Sequence, residues 1–340
     1  MYIFIAILGF SLLVIIHELG HFVMAKINGI TVEEFSIGMG PEVISKKYGE
    51  TIYSLRLFPI GGFVSLLGEE KDIDDEQSFS KKSPLKRISV ILAGATMNII
   101  FAIIVFSMII FHKGYNELKI SKLVDNSPAI KAGLQIGDEI VKIDGSKVYT
   151  PMDVTMGIQL SKGKPINLLI KRNNDKREIL LTPKLVEKNG NEVYHIGFYY
   201  DSIESPNILQ SIKQSFRETI SLINQTFKSF KLLFSGDVNI KTDVGGPITI
   251  IRISTEAAKN GLITLGYLLA FISVNLAVFN LLPFPALDGG WAFVILIELI
   301  TKRKIPDKIV GAANYVGFII LMGVMILVTL KDILFPLKLQ

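Results

Sequence analysis

Residues 3–24 read IFIAILGFSLLVIIHELGHFVM, an apolar run with three ionisable side chains near its end. About 20 predominantly apolar residues cross the ~30 Å hydrocarbon core of a bilayer, so residues 1–25 are predicted to form a transmembrane helix. The run lacks the basic start and the small-residue exit of a cleaved signal peptide, and we expect it to be retained. Because ionisable groups at membrane depth are costly, the stretch predicts both a membrane fold and a functional site within it.

The ionisable residues form the pattern His17-Glu18-Leu19-Gly20-His21. In a helix, residues i and i+4 lie on one face, so the two imidazoles can bind one zinc ion. Glu18 lies roughly 100° round the helix, close enough to accept a proton from a water on the metal without being a ligand. The alternative is a pair of polar residues at a helix end. Two of the four histidines of the chain fall in this pattern, which favours the metal site.

A catalytic zinc ion takes three protein ligands and keeps one position open. The best candidate for the third ligand is Asp288, in the run NLLPFPALDGG at 280–290. The two prolines of this run end the preceding helix and extend the backbone, and its two glycines allow close approach. An aspartate that caps the next helix is the alternative. Glu298 is a competing carboxylate, but its place one turn before Lys302 is typical of a residue at the membrane interface.

Composition extends the membrane prediction to the whole chain. The 340 residues are 49% hydrophobic with a mean hydropathy of +0.45, which is high for a soluble protein of this length. Apolar runs predict further transmembrane helices at 88–111, 262–284 and 310–330. Four spans put both termini on one side. Lysines and arginines flank the loops at 26–87 and 285–309, so these loops are predicted to be cytoplasmic and both termini to lie outside.

Charge and cysteine content exclude other kinds of site. The net charge of +5 comes mostly from lysines beside the apolar runs, and no basic patch interleaved with aromatic residues suggests nucleic-acid binding. The chain has no cysteine. A metal site must therefore use His, Asp or Glu.

The segments between the spans show three further patterns. The stretch TIYSLRLFPIGGFVSLL at 51–67 is broken at Pro59 and Gly61-Gly62, which predicts a hairpin of two short strands that lies in or against the membrane, with a peripheral cytoplasmic hairpin as the alternative. Residues 112–185 alternate short strands and glycine turns as in a small α+β domain. Residues 186–261 are predicted to be an extracytoplasmic linker with an amphipathic helix, whose apolar stripe packs on a core or on a membrane surface.

HELGH in the first span and N-x-x-P-x-P-x-L-D-G in the third together resemble the site-2 protease family of intramembrane metalloproteases. The stretches FSIGMGP at 35–41 and GGFVSLLGE at 61–69 extend the resemblance over nearly the whole chain. AGATMN at 93–98 is similar to the A-G-P-x-x-N stretch of the family, with Ala95 where proline is usual. Residues 127–145 resemble part of a PDZ domain, which points to the bacterial, PDZ-containing type.

The resemblance implies a polytopic α-helical membrane protein with four transmembrane helices, a membrane-associated β-hairpin and an inserted α+β PDZ domain. It would lie in the bacterial inner membrane with its termini and PDZ domain outside. One Zn²⁺ per chain would be held by His17, His21 and Asp288, and Glu18 would be the general base. The substrates would be single-span proteins of the lipid bilayer, either anti-sigma factors or remnant signal peptides. Substrate-binding roles are implied for Asn280, Pro283, Asn275, Gly61, Gly62 and Phe63.

Three alternatives stay open. The PDZ domain either binds a peptide or acts only as a size filter above the site. A non-enzymatic membrane scaffold would not need Glu18, which argues against that class. A metal transporter often has internal repeats and polar residues along several spans, and the sequence shows neither.

Overall fold

A computed structural model describes residues 1–69, 73–188, 191–236 and 244–336. The described helices are α1 (Tyr2–Ile27), α2 (Pro84–Lys113), α3 (Pro128–Lys131), α4 (Pro151–Leu160), α5 (Ile208–Ser235), α6 (Pro247–Lys259), α7 (Leu262–Asn280), α8 (Asp288–Thr301) and α9 (Asp307–Leu334). The described strands are β1 (Val32–Tyr48), β2 (Thr51–Leu66), β3 (Tyr115–Leu123), β4 (Glu139–Ile143), β5 (Ser146–Lys147), β6 (Ile166–Arg172), β7 (Asp175–Leu181), β8 (Lys184–Lys188), β9 (Asn191–His195) and β10 (Phe198–Ile203).

Four described helices are long and apolar enough to cross a membrane, namely α1, α2, α7 and α9. Each of the four apolar runs of the sequence falls on one of them. The chain folds as two compact units, one of residues 1–105 and 228–340 and one of residues 106–227.

In the first unit, β1 and β2 form a two-stranded antiparallel sheet with an irregular register. Ser36 of β1 has partners on both sides, Ser54 and Phe63, so β2 turns back between these two residues. The prediction of two strands that pair with each other within 51–67 is therefore wrong. The chain does bend near Pro59, but both halves of β2 pair with β1. The glycines and charged residues of β1 give it no clean alternation, so its strand pattern is hidden in the sequence.

The bend of β2 lies beside the middle of α1. The hydroxyl of Ser11 donates a hydrogen bond to the carbonyl of Pro59. Further along α1, the ring of Phe22 packs edge-on against Phe35 and Tyr53, with ring centroids 5.3 and 6.1 Å apart. The sheet therefore runs along α1 for about half of that helix.

The segment predicted as a loop at 285–309 contains the 14-residue helix α8. This apolar helix is too short to be recognised as a span, and its two glycines weaken the helical signal. Glu298 lies near the end of α8, and its predicted place at the membrane interface stays a prediction. Its Oε2 lies 2.8 Å from Nη1 of Arg87, both side chains are less than 10% exposed, and its Oε1 accepts the N–H of Ile305. A buried ion pair thus joins α2 to α8.

Another helix, α6, lies in the segment predicted as a linker. Its first turn is capped by Asp332 near the end of α9, whose carboxylate accepts the N–H groups of Gly246 and Thr249 at 3.1 and 2.8 Å. Such side-chain caps satisfy backbone donors that have no partner inside the helix.

The second unit has a six-stranded antiparallel sheet in the order β10-β3-β4-β6-β7, with β5 paired to β4, and a separate antiparallel β8-β9 pair. Its core contains the fully buried Ile140, Ile166, Leu168 and Ile170. The order of short strands, glycine turns and helix agrees with the α+β pattern of the sequence.

Helix α5 is the amphipathic helix predicted within 186–261, but the exposed residues of its apolar stripe do not face a core. Ile208, Ile212 and Phe216 are 67, 39 and 49% exposed. The buried face of the helix is polar and includes Ser211, Gln214, Ser215, Thr219 and Ser221. The exposed residues of the stripe therefore do not pack on a protein core. A membrane surface stays the other predicted partner.

Candidate metal centre

Two helices bring three potential ligands together. His17 and His21 lie one turn apart on α1, and Asp288 is the first residue of α8. Oδ2 of Asp288 lies 3.0 Å from Nε2 of His17 and 3.4 Å from Nε2 of His21, and the two Nε2 atoms are 3.2 Å apart. The competing carboxylate, Glu298, is held instead by Arg87.

These distances match a zinc site. Ligand atoms at about 2.0–2.1 Å from one ion in tetrahedral geometry lie about 3.3 Å from one another. Asp288 Oδ2 is buried and makes no hydrogen bond of acceptable geometry, although both imidazoles are close. With the imidazole hydrogens on Nδ1, all three atoms are acceptors, and they repel one another unless a cation lies between them. The residues present therefore fit one zinc ion, and the histidine–histidine–carboxylate set is one that zinc uses in catalytic sites.

Helix α2 lines the far side of the two imidazoles with residues spaced four apart. Nδ1 of His21 lies 2.9 Å from the carbonyl oxygen of Val90, and Nδ1 of His17 lies 3.2 Å from the side-chain amide of Asn98. The Asn98 amide is fully buried, and the other atom of the amide, Oδ1, lacks a partner. Exchanging its N and O atoms would let Nδ1–H of His17 donate to Oδ1. An imidazole that donates through Nδ1 keeps Nε2 free for a metal.

Gly94 lies between these two contacts and touches the centre itself. A Cβ built at this position would lie 2.4 Å from Nε2 of His21 and 2.8 Å from Nε2 of His17. No side chain larger than hydrogen fits without displacing an imidazole. The position follows from the four-residue spacing, which puts Val90, Gly94 and Asn98 on one face of α2.

Glu18 lies between the ligand group and the second half of β2, close enough to interact electrostatically with His17, His21 and Asp288. A Cβ at Gly62 would lie 3.9 Å from Cγ of Glu18, and the backbone N–H of Val64 donates to the Glu18 carboxylate. The sheet predicted to hold substrate is thus brought next to the residue predicted to be the general base.

The loop between α7 and α8 carries Asp288 to the histidines. Helix α7 ends at Asn280, whose Nδ2 lies 3.3 Å from Nε2 of His17. A Cβ at Gly289 would lie 2.2 Å from the carbonyl oxygen of Leu282, and one at Gly290 would lie 2.3 Å from that of Phe284. The predicted close approach of backbone at both glycines is present.

The other residues with predicted substrate roles make contacts with their own surroundings. Phe63 lies under the guanidinium of Arg56, 4.9 Å from its ring centroid, and Gly61 packs against Met39. Asn275 donates to the carbonyl of Phe271 within its own helix, at 2.8 Å, and Pro283 is exposed in the loop. Their substrate roles stay predictions.

A cavity of about 800 Å³ lies beside residues 63–66 of β2. Its wall combines charged and apolar side chains, among them Glu33, Arg87, Trp291 and Asn314. The sequence gives no sign of this cavity, because its wall comes from segments that are far apart in the chain. The contact between the backbone carbonyl of Val90 and His21 could not be predicted either, because every residue has such a carbonyl.

Comparison with known proteins gives one family. Peptidase family M50 matches residues 5–324 of the chain. A protein of Clostridium perfringens, named as a zinc metalloprotease, is 52% identical to this chain over 337 residues. The match covers 99% of this chain and 100% of that one. The regulator of sigma-W protease RasP of Bacillus subtilis is 28% identical over 411 residues, covering 96% and 97% of the two chains. A solved PDZ domain of an SdrC-like protein from Listeria monocytogenes covers 25% of this chain and 88% of its own at 21% identity, with a TM-score of 0.23.

Proposed function

The chain belongs to peptidase family M50, the site-2 protease family, and is a zinc metalloendopeptidase of that type, from which we propose that it cleaves transmembrane segments of single-span proteins. The substrates would be anti-sigma factors or remnant signal peptides. The name of one relative, regulator of sigma-W protease, supports a membrane protein of the first kind. The observation that carries the proposal is the position of the three ligand atoms, two of which belong to a helix apolar enough to cross a membrane.

In this proposal His17, His21 and Asp288 hold the zinc ion. Zinc, when bound, lowers the pKa of a coordinated water towards ~7 and polarises the scissile carbonyl. Glu18 accepts the proton of the attacking water as the new C–O bond forms, and it returns that proton to the amine nitrogen as the C–N bond breaks. Asn280, whose amide is close to His17, would hydrogen-bond the substrate near the scissile bond.

The sheet supports a way to present the substrate. A transmembrane helix hides its carbonyls in i→i−4 hydrogen bonds, so a substrate must unwind before it can be cleaved. Residues 62–65 pair with β1 on one side, and among the described residues no strand pairs with their other side. A substrate that adds to this edge as an extended strand would pass directly in front of Glu18. Gly61, Gly62 and Phe63 would form this edge.

The proposed topology puts the segments at 26–87 and 285–309 on the cytoplasmic side, and it puts both termini and a PDZ domain at 112–185 outside a bacterial inner membrane. The lysines and arginines that flank those loops support this orientation. The exposed apolar stripe of α5 is compatible with a helix on a membrane surface.

The test compares wild-type protein with Glu18→Gln, each reconstituted in lipid vesicles with a single-span reporter. General acid–base catalysis typically contributes 10²–10⁴-fold, so we expect cleavage to fall by at least ~100-fold while one zinc per chain remains bound. A hydroxamate chelator should block the wild-type reaction. Cleavage by Glu18→Gln at the wild-type rate would refute the role of Glu18, and zinc transport without cleavage would favour the transporter.

A further inference from the structure

The loop that carries Asp288 is held in a strained shape. The N–H of Leu287 donates to the carbonyl of Phe284 at 3.2 Å, which closes a β-turn with Pro285 and Ala286 at its centre. Ala286 has a φ of 73°. A turn with proline at its second position and a positive φ at its third is of type II, and that third position favours glycine or asparagine. Alanine at this position needs support from its surroundings.

The support comes from α9. The side-chain Oδ1 of Asn314 accepts a hydrogen bond from the backbone N–H of Ala286 at 3.1 Å. One turn further along α9, a Cβ at Gly317 would lie 2.5 Å from the carbonyl oxygen of Pro285. The turn therefore lies directly on the backbone of α9 at Gly317 and is tied to it through Asn314.

Asn314 lies on the side of α9 that faces the turn. It is partly buried, whereas its neighbours Ala313 and Tyr315 are exposed. Its hydrogen bond to Ala286 therefore forms at the contact between the turn and α9.

We propose that Asn314 is a positioning residue for the metal centre, which acts by holding Ala286 in its left-handed conformation and so directs Asp288 towards His17 and His21. Asp288 follows Ala286 by two residues. A change of Ala286 to negative φ would rotate the chain before α8 and move the carboxylate away from the histidines. The proposal rests on the ligand set given under the proposed function.

The experiment measures zinc affinity by competition with a chelator, using full-length protein in detergent in the Glu18→Gln background, so that turnover does not interfere. Removing an outer partner of a metal ligand typically costs 10–100-fold in affinity, and we expect a loss in this range for Asn314→Ala. Asn314→Asp keeps an oxygen that accepts the Ala286 N–H and should stay within about threefold of the parent. Thr329 is also partly buried on α9, and among its described contacts its hydroxyl donates only to the carbonyl of Met325. Thr329→Ala is therefore the matched control and should have no effect.

A second variant separates positioning from general destabilisation. Glycine adopts positive φ without strain, so Ala286→Gly should recover at least half of the lost affinity, on a logarithmic scale, when combined with Asn314→Ala. Hydrogen exchange over α9 shows that each variant is folded. A loss of packing in α9 would not be repaired by a glycine in the turn.

Three results would overturn the proposal: unchanged zinc affinity in Asn314→Ala, equal losses in Asn314→Ala and Asn314→Asp, or no recovery with Ala286→Gly. Asp288→Ala in the same assay tests the ligand set by itself. If Asp288→Ala loses zinc and Asn314→Ala does not, the positioning role fails and the proposed function stands. If Asp288→Ala retains zinc, the ligand set fails.

Discussion

Two aspartates, one in each compact unit, make opposite use of burial. Asp153 on α4 is 3% exposed, and its carboxylate accepts hydrogen bonds from four donors. Asp288 Oδ2 is also buried, yet it faces two imidazole nitrogens and makes no hydrogen bond of acceptable geometry. A buried carboxylate is stable only if it is hydrogen-bonded, paired with a positive charge or bound to a metal. The hydrogen bonds of Asp153 are complete without a ligand, whereas Asp288 needs a cation.

The four donors of Asp153 explain its structural role. The N–H groups of Tyr149 and Thr150 come from the start of its own helix, at 2.8 and 3.1 Å. The hydroxyl of Ser221 and the side-chain amide of Gln225 come from α5, at 2.7 and 3.1 Å. Asp153 therefore caps α4 and fastens it to the polar face of α5. The comparison teaches that an unsatisfied buried oxygen, more than burial itself, marks a ligand site.

The largest effects on zinc binding and on stability are expected from two single variants, Asp288→Ala and Asp153→Ala. Asp288→Ala should weaken zinc binding by more than ~100-fold, since even outer partners of a ligand are worth 10–100-fold, while residues 106–227 stay as protected from hydrogen exchange as before. Asp153→Ala should leave zinc binding unchanged. It leaves buried donors without an acceptor and should destabilise residues 106–227 by about 2–4 kcal/mol.

Zinc titration and hydrogen exchange on the same samples check this pair. Loss of zinc by Asp153→Ala would contradict its structural role. Loss of protection in residues 106–227 by Asp288→Ala, with zinc retained, would contradict its role as a ligand.

A smaller effect is expected from Gly94→Ala, which adds a single methyl group against the metal centre. Because the new Cβ would lie 2.4 Å from Nε2 of His21, an imidazole must move, and we expect zinc affinity to fall by about 10–100-fold. Gly323→Ala on α9 is the matched control, because a Cβ at that position meets no atom within 4 Å. Equal zinc affinity in the two variants would show that the imidazoles adapt to the methyl group.

The smallest effect concerns pH and the cluster around Asp153. Burial raises the pKa of Glu218 on α5 from 4.5 to about 7, and the nearby negative charge of Asp153 adds to the rise, against a hydrogen bond from Gln214. The folded state thus holds this proton more tightly than the unfolded state. Stability of residues 106–227 should fall as pH rises from about 4.5 to about 7 and then level off.

Hydrogen exchange between pH 5 and 8, corrected for the intrinsic rate, measures this trend. Glu218→Gln, which cannot ionise, should reduce the slope. An unchanged slope in Glu218→Gln would assign the pH dependence to other groups of the unit.

The local features of the molecule could be predicted from the sequence. Hydropathy located the four apolar helices, because about 20 apolar residues are needed whatever the rest of the chain does. The spacing of His17 and His21 placed both on one helical face, since helical periodicity is a property of the backbone. The prolines and glycines around Asp288 predicted a helix end and a close approach, both of which the structure contains.

Only the tertiary structure decided which distant groups meet. It inserted β1 between the two halves of β2, paired Glu298 with Arg87, and aligned Val90, Gly94 and Asn98 against the imidazoles. It also tied the turn before Asp288 to Asn314. These contacts depend on strand pairing and helix packing between segments up to about two hundred residues apart, and no local pattern encodes them. The sequence by itself determined the chemistry that this protein carries, and the packing of α1, α2, α8 and α9 decided how that chemistry is arranged.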